Sequence, residues 1–260
     1  MSGARVQAVG VITGWGTGLR ALPEDARVAA AGRRVIPISV PPRSGERFRR
    51  ATRECLLGVA AVEALIGSTD LDPEQLRGDR TGLIYCTAAA YGASNLSFIE
   101  AAGALHFPYT APSAVPAEVA IEFGLTGSYV ILIGGATATI DGLWQAATLV
   151  GRGDADRALV LAVETFAECA ALFERGRWLV GSPLVEAAAC ALVVPGAERP
   201  RYGAMAVAGV DEVTVARRAG ETLACAPLLG IALALETGAP PVVTGHWRGR
   251  RAALAWAGQG

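Results

Sequence analysis

Residues 127–156 read GSYVILIGGATATIDGLWQAATLVGRGDAD. An apolar, β-rich run over 129–133 meets Gly134-Gly135-Ala136, and a helix-type stretch follows over 140–150. A strand that feeds a tight turn of small residues into a helix is how many acyl-transfer enzymes present a nucleophile. The apex residue is ordinarily Cys or Ser, beside helix N-terminal amides that lower its pKa and bind an oxyanion. Here the apex is Ala136. A methyl group has no lone pair with which to attack, so the sequence keeps the frame of a catalytic elbow without its reagent.

The flanking sequence continues the same alternation. Residues 5–14 (RVQAVGVITG) form a strand that closes on a glycine turn, and 15–45 is loop-rich, broken by Pro23, Pro37, Pro41 and Pro42. The spacing of Phe48, Cys55, Leu56, Val59, Val62 and Ile66 predicts a helix over 46–66, followed by a polar connection over 70–79. Residues 81–87 (TGLIYCT) and 157–164 (RALVLAVE) are apolar on both faces, as buried parallel strands are. Between them, Ser94 is placed to cap a helix running to Gly103, and a short helix over 116–123 stops at Gly124. Beyond Glu164, strands are expected over 186–194 and 202–210, lying side by side, then an apolar helix over 222–236 and a last strand over 252–256. Strands alternating with helices predict a layered α/β fold with a mostly parallel sheet. The chain divides into an N-terminal half, 1–165, and a shorter C-terminal half, 166–260.

Hydrophobic residues make up 52% of the 260 residues and charged ones 18%, a balance that leaves little surface for water and favours a covered face. The net charge of −1 gives no reason to expect nucleic acid or an anionic membrane as partner. All basic residues are Arg, which biased composition explains without function. No apolar run approaches the roughly 18–20 residues of a membrane helix, and no secretory signal opens the chain. Cys55, Cys86, Cys169, Cys190 and Cys225 are scattered, without metal spacing, among apolar neighbours. They are expected as small core residues of a reduced, cytoplasmic protein, with neither metal nor cofactor.

Taken together, VGVITGWGTGL, TGLIYCTAAAYG, the run from PSAVPAEVAIEFG through LVLAVET, and GETLACAPLLGIALALETG resemble, in order and spacing, the β-ketoacyl synthase family of the thiolase fold over nearly the whole chain. The resemblance implies a layered αβαβα architecture with a shortened C-terminal half. It also places the family's nucleophilic Cys at Ala136 and its late His at Glu221, within Gly220-Glu221-Thr222. The middle His-Gly-Thr-Gly-Thr segment is missing between Val213 and Arg217. Decarboxylative condensation needs a thiolate to hold the acyl chain and two imidazoles to polarise the malonyl carbonyl. All three are absent.

A synthase-like chain without these groups resembles the chain-length factors of type II polyketide synthases, and its short second half resembles those of highly reducing, polyene-forming systems. Such a factor implies a heterodimer with an active ketosynthase, a tunnel for the growing chain at their interface, and access to an acyl carrier protein through the complex. In that register Tyr91, Asn95, Phe98 and Ile99 share a helix lining the tunnel at the interface, and Phe107, Tyr109 and Pro112 lie in the loop that meets the partner. Bulky residues there limit chain length by steric exclusion; ordinary core packing is the alternative for each.

Other residues keep two readings. Thr137 and Thr139 are substitute nucleophiles or, more simply, caps of the elbow helix. Glu221 is a general base or a structural hydrogen-bond acceptor. Glu164 is expected as a buried carboxylate with backbone partners. His106 is structural or interfacial. His246 is expected in a surface turn beside Arg248, Arg250 and Arg251, which are either solvated or face a carrier protein's phosphopantetheine or acidic surface. Two further functions compete with the non-catalytic factor: an independent acyl-transfer enzyme using Thr137 or Cys86, and a homodimeric acyl-binding scaffold.

Overall fold

Backbone groups buried on both faces of a sheet must pair within it, and side chains there must be apolar throughout. The computed structural model of the chain describes residues 3–39, 48, 51–101, 107–166, 170–171, 182–203, 212–239 and 241–256. In chain order the strands are β1 (Gly3–Thr13), β2 (Gly16–Thr17), β3 (Val35–Ile36), β4 (Thr81–Thr87), β5 (Tyr129–Ile133), β6 (Arg157–Glu164), β7 (Leu184–Val185), β8 (Ala187–Gly196), β9 (Arg201–Tyr202), β10 (Val242–Trp247) and β11 (Arg250–Ala255). The principal helices are α1 (Ala26–Ala30), α2 (Arg53–Gly67), α3 (Gly92–Ala101), α4 (Ala114–Phe123), α5 (Ala136–Arg152), α6 (Glu212–Ala219) and α7 (Ala226–Thr237).

Six strands form one mixed sheet in the order β2-β1-β8-β6-β4-β5. β4 runs parallel to both β5 and β6, whereas β8 is antiparallel to β6 and to β1. The two faces separate by residue parity. Leu83, Tyr85, Leu159, Leu161, Val163, Cys190 and Leu192 point into a core shared with α2 and α4, around Leu57, Val59, Val62 and Leu65. Ile84, Cys86, Val160, Ala162, Ala189, Ala191 and Val193 face α5 and α7. Burying each Leu, Ile or Val of this kind contributes about 1.5–3 kcal/mol against the entropy of ordering the chain.

A second, antiparallel sheet in the order β10-β11-β9 covers the far side of α5 and α7. Val243, Ala252, Leu254 and Trp256 join the same core from that side. The described residues therefore stack helix, sheet, helix, sheet, which is the layered α/β fold expected. β8, from beyond residue 165, completes the large sheet between β1 and β6.

Several local expectations are corrected. The described helical residues of α2 begin at Arg53, seven residues later than expected, and its buried face includes Leu57, Ala61 and Leu65 while Leu56 and Ile66 stay half-exposed. The polar connection contains a 3-10 turn, Pro73–Leu76, capped by Asp72 and anchored by buried Leu76. Ser94 does not cap α3 but lies inside it, where its hydroxyl hydrogen-bonds the buried carboxylate of Glu54. Arg201 and Tyr202 pair with β11 rather than with β8, and 204–210 lies outside the described residues. The apolar helix near 222 opens with a 3-10 turn, Leu223–Cys225, before α7. β10 was not expected at all, and it places His246 on a strand rather than in a turn.

Candidate functional site

The elbow is built as its sequence predicts. β5 ends at Ile133, the Gly134 amide donates to the Thr87 carbonyl at 2.8 Å, and α5 starts at Ala136. Gly135 is the N-cap, and no side chain caps the helix. The reason for glycine there is contact rather than backbone freedom. The Trp247 indole of β10 lies against Gly135, and any Cβ at that position would collide with ring atoms. Two residues earlier on the same face of β10, a Cβ added to Gly245 would stand 2.7 Å from the Cβ of Ala136. The C-terminal sheet thus lies directly over the turn.

Thr137 and Thr139 are both buried. Thr139 does not cap α5: its hydroxyl donates to the Ala224 carbonyl at 2.6 Å and ties the elbow helix to the late segment. Glu221, in the late position, accepts the Leu223 amide at 2.9 Å across two residues, and Leu223 takes a left-handed φ of 48°. The Glu221 backbone bridges to β7, its amide donating to Pro183 and its carbonyl accepting from Val185, both at 2.9 Å. Burial raises the pKa of the Glu221 carboxyl. Its geometry is that of a structural acceptor closing a tight turn.

Glu164, at the end of β6, is fully buried. Its carboxylate accepts amides from Ala88 at 2.6 Å, Ala89 at 3.0 Å and Ala224 at 3.3 Å. It thereby clamps the turn after β4 to the turn before α7. Desolvation pushes its pKa up to about 8, against the pull of those three amides. A second buried carboxylate, Glu186, accepts amides from Ile38 at 2.7 Å and Phe166 at 2.8 Å and pairs with Arg53. Cys55, Cys86, Cys190 and Cys225 are buried, and desolvation raises the Cys55 and Cys86 thiols to about 12. Cys169 lies outside the described residues. No group of three or more metal-ligating side chains occurs among the described residues.

The helix and loop singled out in the sequence do come together. The Asn95 amide in α3 donates to the carbonyls of Tyr91 at 2.9 Å and Thr110 at 3.1 Å, joining the helix to the 3-10 turn Phe107–Thr110. Phe98 and Phe107 pack with their rings tilted by 59° and centroids 5.7 Å apart. Ile99 is 75% exposed and Phe107 63%. Tyr91, Tyr109 and Pro112 are half-buried, with Tyr109 leaning on the core beneath. His106 lies outside the described residues. His246 stands on β10 between the two residues that cover the elbow, but it is exposed, and its Nδ1 meets Glu212 Oε2 at 2.6 Å.

Three features escaped the sequence reading. Trp247 and Gly245 cover the elbow, and only the parity of β10, once recognised as a strand, signals it. Glu186 pairs with Arg53 across 133 residues, a separation that local pattern does not reveal. β5 is an edge strand, with Tyr129 60% and Ile133 58% exposed, although its composition is that of a buried one.

An elbow entering a central helix, a mixed sheet in which β2 and β8 run against the other four strands, and a second sheet over the elbow are the features of a thiolase-like ketosynthase fold. The model of the β-ketoacyl synthase N-terminal domain matches residues 40–188, more than half of the chain, and the chain belongs to that family. Three solved structures resemble it closely in fold and distantly in sequence. The ishigamide ketosynthase/chain length factor is 17% identical with a TM-score of 0.72, over 97% of this chain and 98% of that one. A type II polyketide synthase acyl-carrier protein in complex with its ketosynthase (AntDE:AntF) is 14% identical with a TM-score of 0.76, over 98% and 99%. The ketosynthase ApeO in complex with its chain length factor ApeC, from Xenorhabdus doucetiae, is 12% identical with a TM-score of 0.60, over 98% and 100%. No curated protein matches the sequence. No helix among the described residues is long and apolar enough to cross a membrane.

Proposed function

We propose that this chain is a non-catalytic chain-length factor that pairs with an active ketosynthase and shapes the tunnel for a growing polyketide chain. The observation that carries the reading is Ala136 at the start of α5: the elbow is intact but its apex is a methyl group. The companion position is filled by Glu221, whose carboxylate is engaged in its own turn. Thr137 is buried, and burial raises the pKa of the described thiols, which supports the reading that none of them replaces the nucleophile.

Two surfaces favour a partner. Among the described residues β5 is the edge of the large sheet, and its end residues Tyr129 and Ile133 are exposed. Ile99 and Phe107 add exposed apolar area on α3 and the following turn. Apolar side chains exposed together, as Phe107 is beside Phe98, support an interface there. The fold-level relatives include ketosynthases solved with a chain length factor, and one with an acyl-carrier protein. On this reading Tyr91, Asn95, Phe98, Ile99, Phe107, Tyr109 and Pro112 border the tunnel, and the carrier protein reaches it through the complex.

The test is condensation in vitro by a ketosynthase encoded beside this chain, with and without it, on malonyl and acyl carrier substrates. Elongation is expected only with both chains, and Phe98→Ala is expected to lengthen the product. A stable acyl adduct on this chain, found by mass spectrometry, overturns the reading in favour of an independent acyltransferase.

A further inference from the structure

We infer that the tip of the β10–β11 hairpin is a docking surface for an acidic carrier protein, with Arg248, Arg250 and Arg251 meeting carboxylates on the partner. The choice of a carrier protein rests on the proposed function; the anion-binding character of the tip does not.

Trp247 pairs with Arg250 and His246 with Arg251, so the loop between the strands is just Arg248-Gly249. Both loop residues are left-handed, with φ of 47° and 81°. Two-residue loops of this geometry strongly favour Asn-Gly or Asp-Gly, because a longer side chain in the left-handed region is strained. This chain keeps an arginine there.

All three arginines are exposed, and none of their side chains makes an ion pair or hydrogen bond with a described residue. The nearby carboxylates are engaged elsewhere: Glu212 holds His246, and Asp141 accepts from the Tyr202 hydroxyl. Arg248 rests over the Trp247 ring at 5.5 Å, and Trp247 is seated on Gly135. The cations therefore project from a tight ribbon anchored on the elbow rather than from a loose loop. The chain as a whole has a net charge of −1, so three cations within four residues are a local concentration of positive charge. The tip stands by the turn that follows Ile133, because Trp247 packs on Gly134 and Gly135.

The test uses an apo acyl carrier protein of a type II polyketide system, fluorescently labelled, with binding read by anisotropy against the chain alone and against its complex with a ketosynthase. The variant R248E/R250E/R251E is expected to bind about tenfold more weakly at about 0.05 M salt, with the difference vanishing near about 0.5 M, where charges are screened within a few ångströms. Arg248→Asn, which suits the turn, is expected to raise the melting temperature while weakening carrier binding about threefold. Unchanged carrier affinity in both variants overturns the inference. So does loss of ketosynthase co-purification in the charge-reversed variant, since the tip is then a contact between the two subunits. If the native chain binds the carrier but pairs with no ketosynthase, the inference stands and the proposed function fails.

Discussion

Trp247 lies with its indole against Gly135, across the turn that leads from β5 into α5. The elbow is thus defined by two halves of the chain that are more than a hundred residues apart, and glycine is required at the turn because an aromatic ring occupies the space of its missing side chain. Gly245 repeats the relationship against Ala136. Gly135→Ala is expected to destabilise the chain by about 1–3 kcal/mol, the usual cost of overpacking a rigid contact. Urea unfolding should show a lower midpoint with an unchanged slope. A neutral effect would mean that Trp247 moves aside freely.

Glu164 makes stability depend on pH. Its folded pKa of about 8 lies above the ordinary carboxyl value of 4.5, so between these values the folded state holds a proton that the unfolded state has released. The stabilisation is fully present below about pH 4.5 and is lost as the pH rises through about 8. Glu221, raised in the same direction, adds to the slope. Unfolding free energy is expected to fall by roughly a few kcal/mol from pH 5 to pH 9. In Glu164→Gln most of that slope should disappear, with lower stability at acidic pH because the Ala89 amide then faces an amide donor.

The described thiols are expected to be inert in the folded chain. Burial raises all four, Cys55 and Cys86 to about 12, and the nucleophile is the thiolate. Maleimide labelling of the native protein followed by peptide mapping should leave Cys55, Cys86, Cys190 and Cys225 unmodified, and all four should react in denaturant. Rapid native labelling of Cys86 would reopen its role as a nucleophile.

Ile99→Asp separates association from stability. The side chain is 75% exposed, so the isolated chain should change by no more than about 0.5 kcal/mol. Pairing with a ketosynthase should weaken at least about tenfold, because the charge is stranded in an apolar contact. Equal affinity would remove α3 from the interface.

The large sheet was legible because β4 and β6 are apolar on both faces, and sequence periodicity reports that directly; both strands lie where expected. The elbow was legible for a similar reason, since a strand, two glycines and a long helix follow one another without interruption. β10 was hidden because Gly245 and His246 break its apolar run. The glycine answers to Ala136 and the histidine to Glu212, both long-range partners that no local pattern contains. Ser94 looks like a cap for a similar reason: its partner, Glu54, lies 40 residues away. The exposure of β5 was invisible because its sequence is suited to burial, which is also the reason it suits a partner.

The central claim is that this chain completes a ketosynthase rather than acting alone. Co-expression with the ketosynthase encoded nearest to it, followed by size exclusion with light scattering, tests that most directly. The account predicts a single species with the mass of one copy of each chain, dissociated by Ile133→Lys on the open edge of β5. A well-behaved monomer that never co-elutes with a synthase, or a tight homodimer that ignores it, would contradict the account.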